Sequence, residues 1–64
     1  MEINIQRIQS YIRENKMSKT AFCKKCNISY HTLQKIFNNT FNGNIIILFK
    51  IARVLDVGIK DLFV

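Results

Sequence analysis

Proline and tryptophan are absent from this 64-residue sequence, and glycine occurs only twice, at Gly43 and Gly58. The sequence therefore offers no flexible linker and no domain boundary, and it contains no internal repeat. The longest apolar run, residues 45–49, is far shorter than the roughly 20 residues that a membrane-spanning helix requires. We therefore expect one folded domain over residues 1–64 that does not cross a membrane.

Acidic residues are missing from the middle of the chain, between Glu14 and Asp56. The sequence carries ten lysines and arginines against four acidic residues, a formal charge of +6, and most of the positive charges fall in this acid-free stretch. A concentrated positive field attracts polyanions, chiefly nucleic acid or an anionic membrane surface. The alternative is a solvated basic face that only keeps the protein soluble.

Cysteine is scarce as well. Cys23 and Cys26 are too few and too close for the disulfide framework of a secreted miniprotein, and no signal peptide precedes them, so a cytoplasmic location is expected. With His31 they make only half a zinc site, and buried core cysteines are the better interpretation. One histidine, four scattered acids and no glycine-rich loop provide no catalytic constellation. We expect neither an enzyme nor a bound cofactor or metal.

Apolar residues recur at helical spacing along the whole chain, which predicts an all-α fold. Ser18 and Ser29 are expected N-caps, Asn44 is a third, and Asn27 is expected to end a helix in the left-handed conformation. Five helices are predicted, at about residues 3–15, 18–27, 29–38, 45–55 and 59–63. The side chains expected in the core of helices two to four are Phe22, Cys23, Cys26, Leu33, Ile36, Phe37, Ile45, Leu48, Ile51, Ala52 and Leu55.

The segment 18–37 resembles the helix-turn-helix of the lambda repressor and Cro (XRE-type) family and reads SKTAFCKKCNISYHTLQKIF. The resemblance continues through Leu48, Lys50-Ile51-Ala52, Leu55, Val57 and Leu62-Phe63. Cys23 stands at the family's usual alanine, and Asn27 stands at the usual glycine of the turn. Ile12 and Phe37 occupy positions where many members pair an arginine with a glutamate, an exchange that is often neutral or stabilising.

The resemblance implies that the second helix lies across the DNA backbone and that the third enters the major groove. Lysine suits the guanine edge, glutamine suits adenine, and threonine or tyrosine can pack on a thymine methyl group. The candidate base readers are Tyr30, His31, Thr32, Gln34, Lys35 and Asn38, with most weight on His31 and Lys35. The candidate phosphate contacts are Ser18, Lys19, Thr20, Asn39, Thr40, Asn42 and Asn44. Taken singly, an exposed polar residue on a helix is usually only solvated, and it is the helix-turn-helix context that favours a role in base reading for the group.

Apolar residues on the flank of the fourth helix and near the C-terminus suggest a homodimer surface, which consists of Ile46, Ile47, Val54, Ile59, Phe63 and Val64. The alternative places Ile47 or Val54 at the edge of the core. The predicted function is sequence-specific binding of double-stranded DNA by a transcriptional regulator, a repressor in the first instance. A protein-interaction module of the antitoxin type is the alternative, and binding to an anionic membrane is weaker because the apolar helix faces are needed inside.

Overall fold

The computed structural model describes residues 2–43 and 45–64, and its regular secondary structure is helical. The elements are the α-helices α1 (Ile5–Glu14), α2 (Lys19–Cys26), α3 (Tyr30–Phe37) and α4 (Ile45–Leu55), followed by a 3₁₀ helix, Ile59–Leu62. Within the described ranges there is no β-strand, and a single antiparallel bridge pairs Ile3 with Phe63. The all-α prediction is confirmed.

The predicted count of five helices needs a correction at the last element. Residues 59–62 form one turn of 3₁₀ helix, in which the Asp61 amide donates to the Gly58 carbonyl oxygen at 2.9 Å. Only four residues are available before the chain becomes extended at Phe63, too few for the i to i+4 bonds of an α-helix to repeat. The described residues therefore form four α-helices and one 3₁₀ helix in place of the five helices predicted.

Serine side chains begin both helices of the helix-turn-helix, as predicted. Ser18 Oγ accepts a hydrogen bond from the Ala21 amide at 3.0 Å, and Ser29 Oγ accepts one from the Thr32 amide at 3.1 Å. Asn27 ends α2 with φ 60° and ψ 47°, the left-handed conformation expected of it. The predicted cap at Asn44 lies outside the described residues.

Among the described residues, ten buried side chains form a core to which every helix contributes. Phe22, Ile8, Leu33, Ile36, Ile51 and Leu62 are the largest of those that are fully buried. The expected inward position of Ile45 is wrong, because its side chain is 53% exposed. Ile45 is the first residue of α4, one turn before the buried Leu48, and therefore lies at the edge of the core.

Main-chain and side-chain bonds fix the position of α2 and α3 within this frame. The Ile28 amide donates to the Cys23 carbonyl oxygen at 3.0 Å, closing the turn between the two helices. Lys50 Nζ, on α4, donates to the carbonyl oxygen of Asn27 at 3.4 Å. The turn is therefore held both by its own backbone and by α4, so that α3 projects from a supported base.

Candidate nucleic-acid interface

Helix α3 is buried along one side only. Leu33 and Ile36 lie in the core, while His31 and Lys35 are exposed on the opposite side. Asn38, the C-cap residue, is also exposed. The face of α3 that points to solvent thus carries hydrogen-bonding groups and no carboxylate.

Tyr30 and Gln34 form a pair on this face. Tyr30 is 46% exposed, and Gln34 Nε2 donates to its hydroxyl oxygen at 2.8 Å. The two residues lie one helical turn apart, the spacing at which side chains on a helix meet. The bond uses one N–H of the glutamine, and the tyrosine hydroxyl keeps its own hydrogen for a further acceptor.

Thr32 has a different environment from the other candidate base readers. Its hydroxyl shares a hydrogen bond of 2.8 Å with Ser29 Oγ, and its side chain is half-buried. The hydroxyl therefore takes part in the cap at the start of α3. Thr32 also lines a groove of about 290 Å³ beside Lys35, so part of its side chain is open to a ligand there.

At the start of α2, the three candidate phosphate contacts are all exposed. Ser18 Oγ is already bonded to the Ala21 amide. Lys19 Nζ lies 4.9 Å from the ring centroid of Phe37, the last residue of α3. Thr20, the next residue after Lys19, is exposed.

The loop after α3 brings further polar side chains next to the same helix. Asn39 has φ 62°, a left-handed conformation that turns the chain, and Thr40 Oγ1 donates to the Lys35 carbonyl oxygen at 3.3 Å. Asn42 is exposed and lines the groove beside Lys35. The predicted phosphate contact at Asn44 lies outside the described residues.

The shape of that loop depends on Phe41 and Gly43, two residues that the sequence analysis did not single out. Phe41 is half-buried and packs against the core. A Cβ atom on Gly43 would lie 2.6 Å from Cζ of the Phe41 ring, so the ring rests directly on the glycine backbone. The signal in the sequence was that Phe41 lies two positions before Gly43, one of only two glycines. This spacing does not by itself specify a contact between them.

Three cations converge at the other end of α2. Lys25, Lys50 and Arg53 line a groove of about 440 Å³ together with Cys26, Asn27 and Val54. Lys25 Nζ donates to the Tyr11 hydroxyl at 2.9 Å, and Lys50 Nζ donates to a backbone carbonyl oxygen, so both cations are held by neutral acceptors. Because α2, α3 and α4 contain no acidic residue, their combined field is positive.

The two cysteines are free and buried on the inner side of α2. Cys23 Sγ donates to the Ser29 carbonyl oxygen at 3.8 Å, and burial raises the pKa of this thiol. Burial, reinforced by the neighbouring Cys23, raises the pKa of Cys26 to about 12, although the Lys25 charge opposes the shift. Both therefore behave as core side chains. In the described part of the chain, no group of three or more His, Cys, Asp or Glu side chains is arranged to hold a metal ion.

The six candidate dimer residues divide into two groups. Ile46 and Val64 are exposed, and Val64 is 82% accessible. Ile47, Val54, Ile59 and Phe63 are half-buried and pack against the core. Phe49, which the sequence analysis missed, is 50% exposed and lies one turn after Ile45 and Ile46 on α4. None of the helices in the described ranges combines the length and apolar character needed to cross a membrane.

Comparison with protein-family models identifies the family of this chain. A family model described as the Cro/C1-type HTH DNA-binding domain matches residues 7–64, from α1 to the C-terminal residue. No curated protein and no solved structure gives a significant match.

Proposed function

Because the chain belongs to the Cro/C1-type HTH DNA-binding domain family, we propose that it binds double-stranded DNA sequence-specifically, with α3 in the major groove, and represses transcription. The observation that carries the proposal is the exposed face of α3, on which hydrogen-bonding side chains lie in a positive field without any carboxylate. The family is a class of DNA-binding domain rather than of enzyme. We further propose that residues 1–64 act as one domain in the cytoplasm.

Base reading is assigned to the exposed residues of α3 and to two half-buried residues beside them, Thr32 and Gln34. Lys35 donates to the O6 and N7 acceptors of guanine, and His31 lies one turn before it on the same exposed side. Tyr30 offers its ring to a thymine methyl group and its hydroxyl to an acceptor. Gln34 is oriented by its bond to Tyr30. Asn38, the C-cap residue directly after α3, lengthens the polar face at its C-terminal end. Thr32 contributes through the part of its side chain that lines the groove beside Lys35.

Phosphate contacts flank this helix on both sides in the proposed complex. Lys19 and Thr20, beside Ser18 at the start of α2, meet one strand, where the positive end of the helix dipole favours an anion. Asn39, Thr40 and Asn42 in the loop after α3 meet the other, and Asn44 is included on its sequence position alone. These contacts fix the orientation of the protein without reading sequence.

Repression is the simplest regulatory outcome for such a surface. Occupying a site that overlaps a promoter blocks its use and requires only DNA binding, whereas activation requires an additional contact with the transcription machinery. A homodimer, with Ile46 and Val64 among its contacts, would carry two α3 helices roughly 34 Å apart, matching half-sites one DNA turn apart. Ile47, Val54, Ile59 and Phe63 belong to that proposed interface only through the surface that they leave uncovered.

The test is selection of bound duplexes from a random DNA pool, followed by affinity measurements on the selected site at increasing salt. We expect one enriched sequence, a steep loss of affinity with salt, and a loss of about 1–3 kcal/mol for Lys35→Ala. Lys60→Ala is the matched control, since it removes the same charge from the exposed surface of the 3₁₀ helix. Absence of any enriched sequence, or equal losses for both variants, would contradict sequence-specific reading by α3.

A second candidate, a protein-interaction module of the antitoxin type, is supported by the exposed apolar side chains of α4. Ile45, Ile46 and Phe49 form this exposed face, and exposed apolar groups commonly mark a protein interface. This candidate predicts a stoichiometric protein partner that is lost on Phe49→Ser and retained on Lys35→Ala. Enrichment of a DNA sequence without any protein partner would argue against it.

A further inference from the structure

Lys19, at the start of α2, contacts the ring of Phe37, at the end of α3. Lys19 Nζ lies 4.9 Å from the centre of the Phe37 ring, within the roughly 6 Å range of a cation–π interaction. Phe37 is half-buried and packs against the core, while Lys19 is exposed. The ring is therefore held by the fold, and the ammonium group rests on it with its outer side open to solvent.

This contact restrains the lysine without cancelling its charge. The face of an aromatic ring attracts a cation but carries no formal charge and no acceptor lone pair. The N–H donors on the side of the ammonium group that faces away from the ring therefore stay available to an oxyanion. A carboxylate at the same place would neutralise the cation and compete with a phosphate, and neither α2 nor α3 contains one.

We propose that Phe37 is a positioning residue, whose ring holds Lys19 Nζ where it meets a DNA phosphate. The inference rests on the proposed function and extends it to a residue that does not itself touch DNA. A free lysine side chain loses rotational entropy when it is ordered on binding, and the ring reduces that loss because the side chain is already restrained.

The test compares Phe37→Leu, Phe37→Tyr and Lys19→Gln on a random-sequence duplex about two helical turns long, a probe suited to a contact that reads no sequence. Phe37→Leu should weaken binding about two- to fivefold, the range that an exposed cation–π contact supports, and Phe37→Tyr should restore it. Lys19→Gln should lower the slope of log affinity against log salt by about one. In the Lys19→Gln background, Phe37→Leu should have no further effect.

A measurement on the free protein tests the geometry without DNA. In the wild type, the ring current of Phe37 should move the ε-methylene proton resonances of Lys19 upfield in the NMR spectrum. Phe37→Leu should return them to the values of an unrestrained lysine, with the circular dichroism spectrum unchanged. An unshifted wild-type resonance would overturn the proposed positioning.

The double variant separates positioning from a general effect on the fold. An equal loss from Phe37→Leu in the wild-type and Lys19→Gln backgrounds means that Phe37 acts independently of Lys19, which overturns the inference. Wild-type affinity in Phe37→Leu overturns it too, while leaving DNA binding itself intact. Failure of DNA binding itself gives a different result, because the wild-type protein would then bind neither the random duplex nor a selected one. A protein that binds DNA without reading sequence would enrich no sequence from the pool, while Phe37→Leu would still weaken its binding to the random duplex.

Discussion

Tyr30 and Gln34 are joined by a hydrogen bond of 2.8 Å on the exposed face of α3, so they act as one unit and not as two independent readers. We predict that Tyr30→Phe, which keeps the ring and removes only the hydroxyl, frees the Gln34 amide to rotate. Discrimination at the base pairs nearest these residues should fall by up to about 1–3 kcal/mol, the range for a well-placed base contact. Selection profiles of the two proteins measure this change.

The matched control for this substitution is Tyr11→Phe. The Tyr11 hydroxyl accepts a hydrogen bond from Lys25 Nζ at 2.9 Å, at the opposite end of α2 from Lys19. Tyr11→Phe likewise removes a tyrosine hydroxyl that accepts a hydrogen bond, but Tyr11 is not part of α3. A selection profile that changes equally in both variants would show that the Tyr30–Gln34 bond does not set specificity.

Cys26 illustrates a residue whose environment suppresses its reactivity. The thiolate is the reactive form, and burial raises the pKa of this thiol to about 12, so little thiolate is present near neutral pH. We predict that both cysteines react with an aromatic disulfide reagent at about pH 8 only as fast as the protein unfolds. Fast reaction of one cysteine in the native protein, followed by absorbance, would contradict this prediction.

The same shift has a consequence for stability. Because the pKa of Cys26 lies higher in the folded protein than its ordinary value of 9.0, the folded state holds the proton more tightly. The resulting stabilisation is fully present below about pH 9 and is lost as the pH rises toward 12. The difference in unfolding free energy between the wild type and Cys26→Ala should therefore shrink as the pH rises through this range.

Among the elements, the loop between α3 and α4 is the one whose shape depends on a single close contact. We predict that Gly43→Ala destabilises the protein by about 1–3 kcal/mol, because the new methyl group must displace the packed Phe41 ring. Gly58→Ala is the control, since its Cβ would meet only Asp61 Oδ2 at 3.7 Å, an ordinary contact. Urea unfolding of both variants measures the difference, and equal midpoints would refute it.

The elements also show which features of this fold are readable from sequence. The caps at Ser18 and Ser29 and the left-handed Asn27 were predicted because each depends on bonds within a few residues. The exposed position of Ile45 was not predicted. Helical spacing identifies which face of a helix is apolar, but it does not show how far along the helix other elements pack against that face. The turn at 59–62 was predicted as a helix, but its 3₁₀ form depends on a bond from the Asp61 amide to the Gly58 carbonyl oxygen, which apolar spacing does not specify.

In the candidate site, too, some features could be predicted from the sequence and others could not. The exposed and buried sides of α3 follow from the 3.6-residue period, so the outward placement of His31 and Lys35 could be predicted. The bond between Thr32 and Ser29 could not, because either hydroxyl has several partners to choose from. The Lys19–Phe37 contact joins residues far apart in the sequence and depends on the crossing of two helices, which periodicity alone does not specify.

For the whole molecule, charge opposes self-association in the absence of DNA. Each chain carries a formal charge of +6, so two copies repel unless a polyanion neutralises them. The exposed apolar side chains of α4 and Val64 favour contact between copies, and the repulsion between like charges opposes it. We therefore expect a free monomer of 7.5 kDa and pairing on DNA, where phosphates screen the charge.

This expectation predicts how binding depends on the spacing of half-sites. Two copies on one duplex place their α3 helices on the same side when the half-site centres are about 10 base pairs apart. Inserting about five more base pairs, half a turn, turns the second half-site to the opposite side and breaks the contact between copies. Affinity should then fall to that of a single half-site, and sedimentation of the free protein should give a monomer. If a single half-site binds the protein as tightly as the pair does, the protein acts on DNA as a monomer.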